Sequence, residues 1–372
     1  MKKKVLLLTA SYGTGHVTAS KFIQKSLNEL FPNEIESKII DFLKVQTAEP
    51  SEHIFEKIYN WTMEKPRVWD KIFDFSNTGF AYFYFKHIFS RFYQNMFRIF
   101  ENEKPDFCVT THPYWNFIID LYNKKMNKNL RYSCVITDST EIHATWINKH
   151  VQDYMICDNE TKEAIIKKYH VLESKLKVTG FPVNPELGKP IDREKVIKEN
   201  GLDPAVLTIL FVVGLGDYKK FLKIIDYLAG IETEKFQMII ITGKYKNIYD
   251  GLMQKTFKPK TKVVGWTDKM PDYLRSCDLV VAKCGGAIVM ETLSCGKPLL
   301  IPVFTPGQER GNAALLRKYG YGFVEQDFNK IIAVLKEVIA NPDMIKDMQS
   351  KVKQYSKPLA AEAVAKIIAK TA

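Results

Sequence analysis

Short apolar runs recur along the chain, most of them without in/out alternation: Val5 to Ala10, Ser37 to Asp41, Phe107 to Thr111, Tyr132 to Thr137, Tyr154 to Cys157, Leu207 to Val213, Phe236 to Thr242, Leu279 to Ala282 and Leu299 to Pro302. A strand that is apolar at consecutive positions is covered on both faces, as in a parallel sheet under helices. Segments with helical spacing lie between these runs, for example the stripe Phe22, Ile23, Leu27 and Leu30. Alternation of this kind predicts α/β layers. The pattern occurs twice. Between the two series, Gly180-Phe-Pro-Val-Asn-Pro185 runs on to Pro190, and this punctuation predicts a hinge. After Pro358, the apolar positions Leu359, Ala363, Ile367 and Ile368 predict an amphipathic C-terminal helix within 357–372. The expected organisation is a first domain over 1–180, a second over 181–355, and a helix over 356–372 packing back on the first.

One stretch departs from this alternation. Residues 53–100 hold sixteen of the chain's aromatic residues, including Phe80, Phe83, Phe85, Phe89, Phe92 and Phe97, and between Asp74 and Glu101 the charges are Lys86, Arg91 and Arg98. Aromatic rings among cations suit the headgroup region of an anionic bilayer. The competing reading is an insert packed on the core.

Composition narrows the class. The chain has 372 residues, 46% hydrophobic and 26% charged, with 19 Gly and 16 Pro, which fits globular domains and excludes collagen, coiled coil and wholesale disorder. The longest run free of Asp, Glu, Lys and Arg, Val5 to Ser20, carries glycines, hydroxyls and His16, so no spanning helix is expected there. Lys2-Lys-Lys4 before Val5-Leu-Leu-Leu8 lacks the length and cleavage site of a signal peptide. Six cysteines without a CxxC pair point to reduced thiols and a cytoplasmic protein. A net charge of +12 calls for an acidic partner: nucleic acid, anionic lipid or a phosphorylated substrate.

Two constellations carry chemistry. Ser11-Tyr-Gly-Thr-Gly-His16 follows the first strand and precedes a helix, a setting in which glycines let backbone approach a ligand and the helix N-terminus offers amides. As a dinucleotide fingerprint it is poor, because Thr18 stands where a third small residue is needed and Asp41, at the end of the next strand, is 26 residues beyond Gly15. That counts against an oxidoreductase. His16 at the carboxyl end of a strand is a candidate base near neutral pH, where a lone histidine is otherwise usually structural. Asp278-Leu-Val-Val-Ala-Lys-Cys-Gly-Gly286 is a strand leading to a glycine pair and a helix carrying Glu291, an arrangement suited to a diphosphate on backbone amides and a ribose diol on the carboxylate. The polar loop Thr305-Pro-Gly-Gln-Glu-Arg-Gly-Asn312 offers Gln308 and Glu309 to sugar hydroxyls. No carboxylate or His/Cys cluster has metal-ligand spacing, so no metal is expected. Two acids, Glu291 and Glu309, converging with Gln308 on one cleft also argue against nucleic acid.

The sequence resembles the monogalactosyldiacylglycerol synthase and processive diacylglycerol glucosyltransferase family, inverting transferases of the GT-B type, and distantly the peptidoglycan N-acetylglucosaminyltransferase. The resemblance spans nearly the whole chain. It rests on Gly13-Thr-Gly-His16, Thr111-His-Pro113, Ile136-Thr-Asp138 with His143 and Trp146, Thr179-Gly-Phe-Pro-Val183, Gly265-Trp-Thr-Asp-Lys-Met270, Lys283-Cys-Gly-Gly286 with Glu291, and Pro306-Gly-Gln-Glu309 with Asn312. It implies two Rossmann-like domains whose parallel sheets face a central cleft, and transfer of glucose or galactose from a UDP-sugar to diacylglycerol, without metal or other cofactor, on the inner face of the cell membrane. His16 is then the base with Asp138 as its electrostatic partner. Gly15, His112, Pro113, His143 and Trp146 are implied on the acceptor side, with Trp146 lining the entrance. Gly214, Gly243, Gly265, Trp266, Gly285, Gly286, Ala287, Glu291, Gln308, Glu309 and Asn312 are implied for the donor, and Phe83, Phe85, Phe89, Arg91, Phe92 and Arg98 for the membrane. Ile288 and Cys284 stand where the family commonly has Thr and Pro, and Gly214-Leu-Gly216 is poorer in glycine than the family's loop. The alternatives are a UDP-GlcNAc-dependent transferase to another lipid-linked acceptor, a sugar-nucleotide epimerase, and a non-catalytic basic membrane-binding protein.

Overall fold

The computed structural model describes residues 2–11, 15–46, 93–139, 142–214, 218–304 and 309–372. They fall into two compact units: 1–185 with 306–311 and 359–372, and 186–305 with 312–358.

The first unit is built on six parallel strands, β1 (Lys3–Thr9), β2 (Ile35–Asp41), β3 (Phe107–Thr110), β4 (Tyr132–Val135), β5 (Tyr154–Ile156) and β6 (Leu176–Val178), in the order β2-β1-β3-β4-β5-β6. Period-two geometry sends alternate residues of β1 to opposite faces. Leu6 and Leu8 join Cys108, Cys134, Trp115 and Ile119 on one side, while Val5 and Leu7 join Phe107, Val109, Ile23 and Leu27 on the other. The C-terminal helix, Ala360–Thr371, completes that second layer with Val364, Ala365 and Ile368. Its buried stripe is therefore rotated from the expected one: Leu359 lies before the helix, 49% exposed, and Ala363 and Ile367 are only partly covered.

The second unit repeats the plan with β7 (Leu207–Val212), β8 (Phe236–Ile241), β9 (Thr261–Val264), β10 (Leu279–Ala282), β11 (Leu299–Ile301) and β12 (Gly322–Val324), ordered β12-β11-β10-β7-β8-β9 and parallel throughout. Counted from β7, this is the doubly wound order 3-2-1-4-5-6 read in reverse.

Nine of the twelve strands among the described residues match the expected runs to within two residues; β6, β9 and β12 answer to no expected run. All three are edge strands. With one side unpaired and the faces half exposed, they carry lysines and a glycine in place of an apolar run. The first helix spans Gly15–Leu30, so it starts well before the expected stripe, and His16 lies in its first turn and not in the preceding loop.

Of the aromatic stretch, the described part is the helix Tyr93–Glu103. Tyr93, Met96 and Phe100 are buried there, with Tyr93 against Phe117, Phe97 against Tyr122, and Phe100 against Trp115 and Tyr122. These residues belong to the core. Arg98 faces solvent. Phe83, Phe85, Phe89, Arg91 and Phe92 lie outside the described residues.

Candidate functional site

In an open parallel sheet, ligands collect outside the carboxyl ends of the strands where the winding reverses. In the first unit that point lies between β1 and β3, paired through Leu8 and Thr110. The residues just beyond it are those the sequence singles out. Asp41, ending β2, accepts from the Ser11 amide at 3.1 Å and from the Ser11 hydroxyl, so it anchors the segment after β1. His16 reaches across to the end of β3, where its Nδ1 lies 2.9 Å from the Thr111 carbonyl oxygen and 2.8 Å from Thr137 Oγ1. A carbonyl oxygen can only accept, so Nδ1 carries the ring proton and Nε2 is left with its lone pair. Thr111 is held in turn by its hydroxyl, which donates to the His16 carbonyl at 3.2 Å and pairs with Ser20 Oγ at 2.8 Å.

The surroundings favour a neutral imidazole. Burial pushes His16 below histidine's ordinary value, while the Asp138 carboxylate and the Thr111 carbonyl pull part of the way back. Burial raises Asp138, opposed by His16 and by the Trp146 indole, whose Nε1 donates to Asp138 Oδ2 at 2.6 Å. His112 packs edge-on to His16 with ring centroids 4.8 Å apart, and is held well below the ordinary range by burial and by its neighbour. A neutral imidazole with Nε2 unprotonated, in the field of a buried carboxylate, is the setting for taking a proton from an alcohol.

Two of the expected acceptor residues take other places. Trp146 does not line an entrance: it is 1% exposed, in the core, 5.9 Å from the His16 ring centroid, and its indole serves Asp138. His143 caps the short helix Ala144–Trp146, accepting from the Thr145 amide at 3.2 Å. Gly15 opens the first helix and Pro113 caps the helix Tyr114–Met126. Thr137 and Ser20 are polar partners that the residue reading did not pick out; Thr137 was legible as the neighbour of Asp138.

In the second unit the winding reverses between β7 and β10, paired through Val212 and Ala282. Gly214 follows the first strand, and Gly285 and Gly286 the second. Gly285 caps the helix Gly286–Ser294 with φ −67°, and a Cβ there would meet only Ile288 Cγ2, at 3.9 Å. Neither backbone conformation nor crowding demands glycine there, and the amides of Gly286 and Ala287 open the helix behind it. Gly243, with φ +58°, answers to its turn, and Gly265 sits beside the Tyr249 ring. Trp266 next to it is 65% exposed. Glu291, partly buried on the glycine-capped helix, has no hydrogen-bond or ion-pair partner among the described residues, and burial pushes its carboxyl up to about 7. Asn312 Nδ2 donates to the Cys284 carbonyl at 3.2 Å, tying the helix Arg310–Tyr319 to the glycine loop. Glu309 is buried in the turn before that helix, and Gln308 lies outside the described residues.

Residues 16–183 match the monogalactosyldiacylglycerol (MGDG) synthase model, and residues 208–364 match the glycosyltransferase family 28 C-terminal domain. The chain belongs to the MGDG synthase and processive diacylglycerol glucosyltransferase family. Among relatives of this glycosyltransferase family, a processive diacylglycerol beta-glucosyltransferase of Staphylococcus epidermidis is 29% identical over 362 residues, 94% of this chain and 88% of the relative. One from Bacillus licheniformis is 23% identical, covering 94% and 90%. The fold is GT-B, shared with Acinetobacter baumannii MurG (TM-score 0.65, 12% identity, all of both chains) and with S. aureus MnaA in complex with UDP (0.65, 13%, 98% and 96%). Among the described residues, no three His, Cys, Asp or Glu side chains converge as a metal ion requires, and no helix is long and apolar enough to cross a membrane.

Proposed function

We propose that the protein transfers a hexose, glucose or galactose, from a UDP-sugar to the hydroxyl of diacylglycerol with inversion. The observation that carries this reading is the 2.9 Å contact of His16 Nδ1 with the Thr111 carbonyl oxygen, which puts the ring proton on Nδ1 and leaves Nε2 a free base at the switch point of the first sheet. As the acceptor oxygen bonds to C1, the C1–O bond to the diphosphate breaks, its electron pair leaves with UDP, and the hydroxyl proton passes to His16 Nε2. The imidazolium that forms keeps its Nδ1–H on the Thr111 carbonyl in the field of Asp138. On the donor side, the amides after Gly285 take the diphosphate. Preorganised dipoles facing a charge that grows in the transition state are commonly the largest catalytic contribution. Glu291 takes the ribose, Gly265 and Trp266 the uracil, and Gln308 with Glu309 the hexose. Gly214 and Asn312 support the donor loops. The 1–180 and 181–355 segments act as acceptor and donor domains, and no metal takes part.

The decisive assay incubates the protein with diacylglycerol vesicles and labelled UDP-glucose or UDP-galactose, resolving lipid products by thin-layer chromatography. A labelled glycolipid from one donor is the expected result, and no product from either overturns the reading. A donor-side check uses Gly285→Ala. Because the added methyl meets only Ile288 at 3.9 Å, the variant should melt within about 2 °C of wild type yet bind UDP about tenfold more weakly by calorimetry. Unchanged affinity removes the glycine from the diphosphate site.

We further propose that the protein works on an anionic bilayer at the cytoplasmic face, through Phe83, Phe85, Phe89 and Phe92 with Arg91 and Arg98. Changing those four phenylalanines to Ser should cut sedimentation with anionic vesicles several-fold while the circular dichroism spectrum is kept. Equal sedimentation assigns the rings to the core.

A further inference from the structure

We propose that Asn116 and Asp120 are positioning residues for the reaction: one turn apart on a single helix face, they clamp the Trp146–Asn148 segment from behind and so aim the Trp146 indole at Asp138 beside His16. The inference rests on His16 being the base.

The clamp is a set of hydrogen bonds beneath the site. Asn116, buried on the helix Tyr114–Met126, donates from Nδ2 to the Trp146 carbonyl at 2.9 Å and accepts the Thr110 hydroxyl at 2.5 Å. Four residues on, and therefore on the same face, Asp120 Oδ2 accepts from Asn148 Nδ2 at 2.7 Å and Oδ1 from the Tyr132 hydroxyl at 3.0 Å. The backbone of Asn148 is pinned as well: its carbonyl accepts the Tyr154 hydroxyl at 2.6 Å, and its amide approaches the same oxygen at 2.7 Å. Trp146 is thus held at its carbonyl and at the residue two positions on, and its ring is enclosed in the core. Its Nε1 meets Asp138 Oδ2, 2.6 Å away.

Apolar side chains of similar size could fill the buried places of Asn116 and Tyr132 without the desolvation that these two incur. Satisfied buried networks of this sort fix one arrangement where apolar packing tolerates several. The arrangement fixed here is the one that presents a donor to the carboxylate partnering the base.

The test reads the base directly. In protein carrying 13C-labelled histidine Cε1, the His16 signal, identified by its loss in His16→Gln, is titrated in wild type, in Asn148→Leu, and in the exchange Asp120→Asn with Asn148→Asp. The exchange restores the hydrogen bond with donor and acceptor reversed and keeps the net charge. Other ionisable groups facing the pair, His112 and Tyr114 after β3 and Cys134 and Cys157 near Asp138, are unchanged in all three. Loosening the indole costs Asp138 a hydrogen bond to its charged form, so Asp138 holds less charge and His16 loses support for its own. The expected results are a His16 titration about 0.5 pH unit lower or more in Asn148→Leu, about a tenfold drop in kcat with the KM for the UDP-sugar unchanged, and both restored by the exchange. A His16 titration unmoved in Asn148→Leu, or an exchange protein that behaves like Asn148→Leu, overturns the clamp. The titration needs no substrate, so a wild-type protein that transfers no hexose sinks the transferase reading and leaves the clamp to be decided by the histidine signal.

Discussion

His16→Ala is expected to lower kcat for glycolipid formation about a thousandfold, within the range general-base catalysis supplies, while UDP affinity measured by calorimetry stays near wild type. The split follows from where the residue sits: His16 is in the first unit, bonded to Thr111 and Thr137, and the UDP-binding groups proposed here are in the second. Burial keeps the ring neutral near pH 7, so little of its capacity to accept a proton is lost to bulk protonation. The sign of the pH dependence follows. Protonation of Nε2 blocks the base, and the folded value lies below the ordinary 6.5, so the acid limb of kcat/KM should fall below pH 6.5 and be absent from the His16→Ala profile. Asp138→Asn removes the negative charge that raises His16, so its acid limb should move further down and its plateau rate should drop, because a weaker base takes the proton less readily. A His16→Ala protein with wild-type turnover would take the residue out of the chemistry and leave it as a helix-to-strand tie.

Both candidate sites stand on the same topological fact, and the sequence exposes part of it. Runs such as Leu207 to Val213 and Phe236 to Thr242 are legible because central strands are buried on both faces and admit almost nothing polar. Edge strands such as β9, Thr-Lys-Val-Val, have no such constraint and read as loop. The glycine motifs identify the carboxyl ends of β1 and β10, but strand order is set by long-range pairing, and a residue list does not say that β3 rather than β2 brings its carboxyl end to His16. Hence the Thr111 carbonyl that fixes the tautomer is out of reach of the residue reading, although Thr111-His-Pro113 is visible as a motif. Trp146 fails for a related reason. Its spacing from Asp138 marks the two as associated, but an indole can line a mouth or back a carboxylate at the same spacing. Burial decides for the second.

Replacing Glu291 by Ala should weaken UDP about a hundredfold at pH 8, the loss of two charge-assisted hydrogen bonds to a ribose diol after the water that replaces them is allowed for. What makes the residue unusual is that its carboxyl is without a hydrogen-bond or ion-pair partner among the described residues, and burial holds it up to about 7. Structural carboxylates in such a position normally find a lysine or an amide. An unpaired one is better suited to a partner that arrives with its own donors. Two vicinal hydroxyls fit that description and a phosphate does not. Because diol donation favours the ionised form, binding should release a proton from the fraction still protonated. UDP affinity should therefore rise by about tenfold between pH 6 and pH 8, as ionisation of a group titrating near 7 is completed. Glu291→Gln keeps the size and one acceptor but cannot titrate, so its affinity should lie below wild type at pH 8 and stay flat across the same interval. Calorimetry in buffers of different ionisation enthalpy measures the proton count directly. Release of the same number of protons by wild type and Glu291→Gln would place the ribose elsewhere on the second unit, because no other carboxyl on the glycine-capped helix is available to supply the difference.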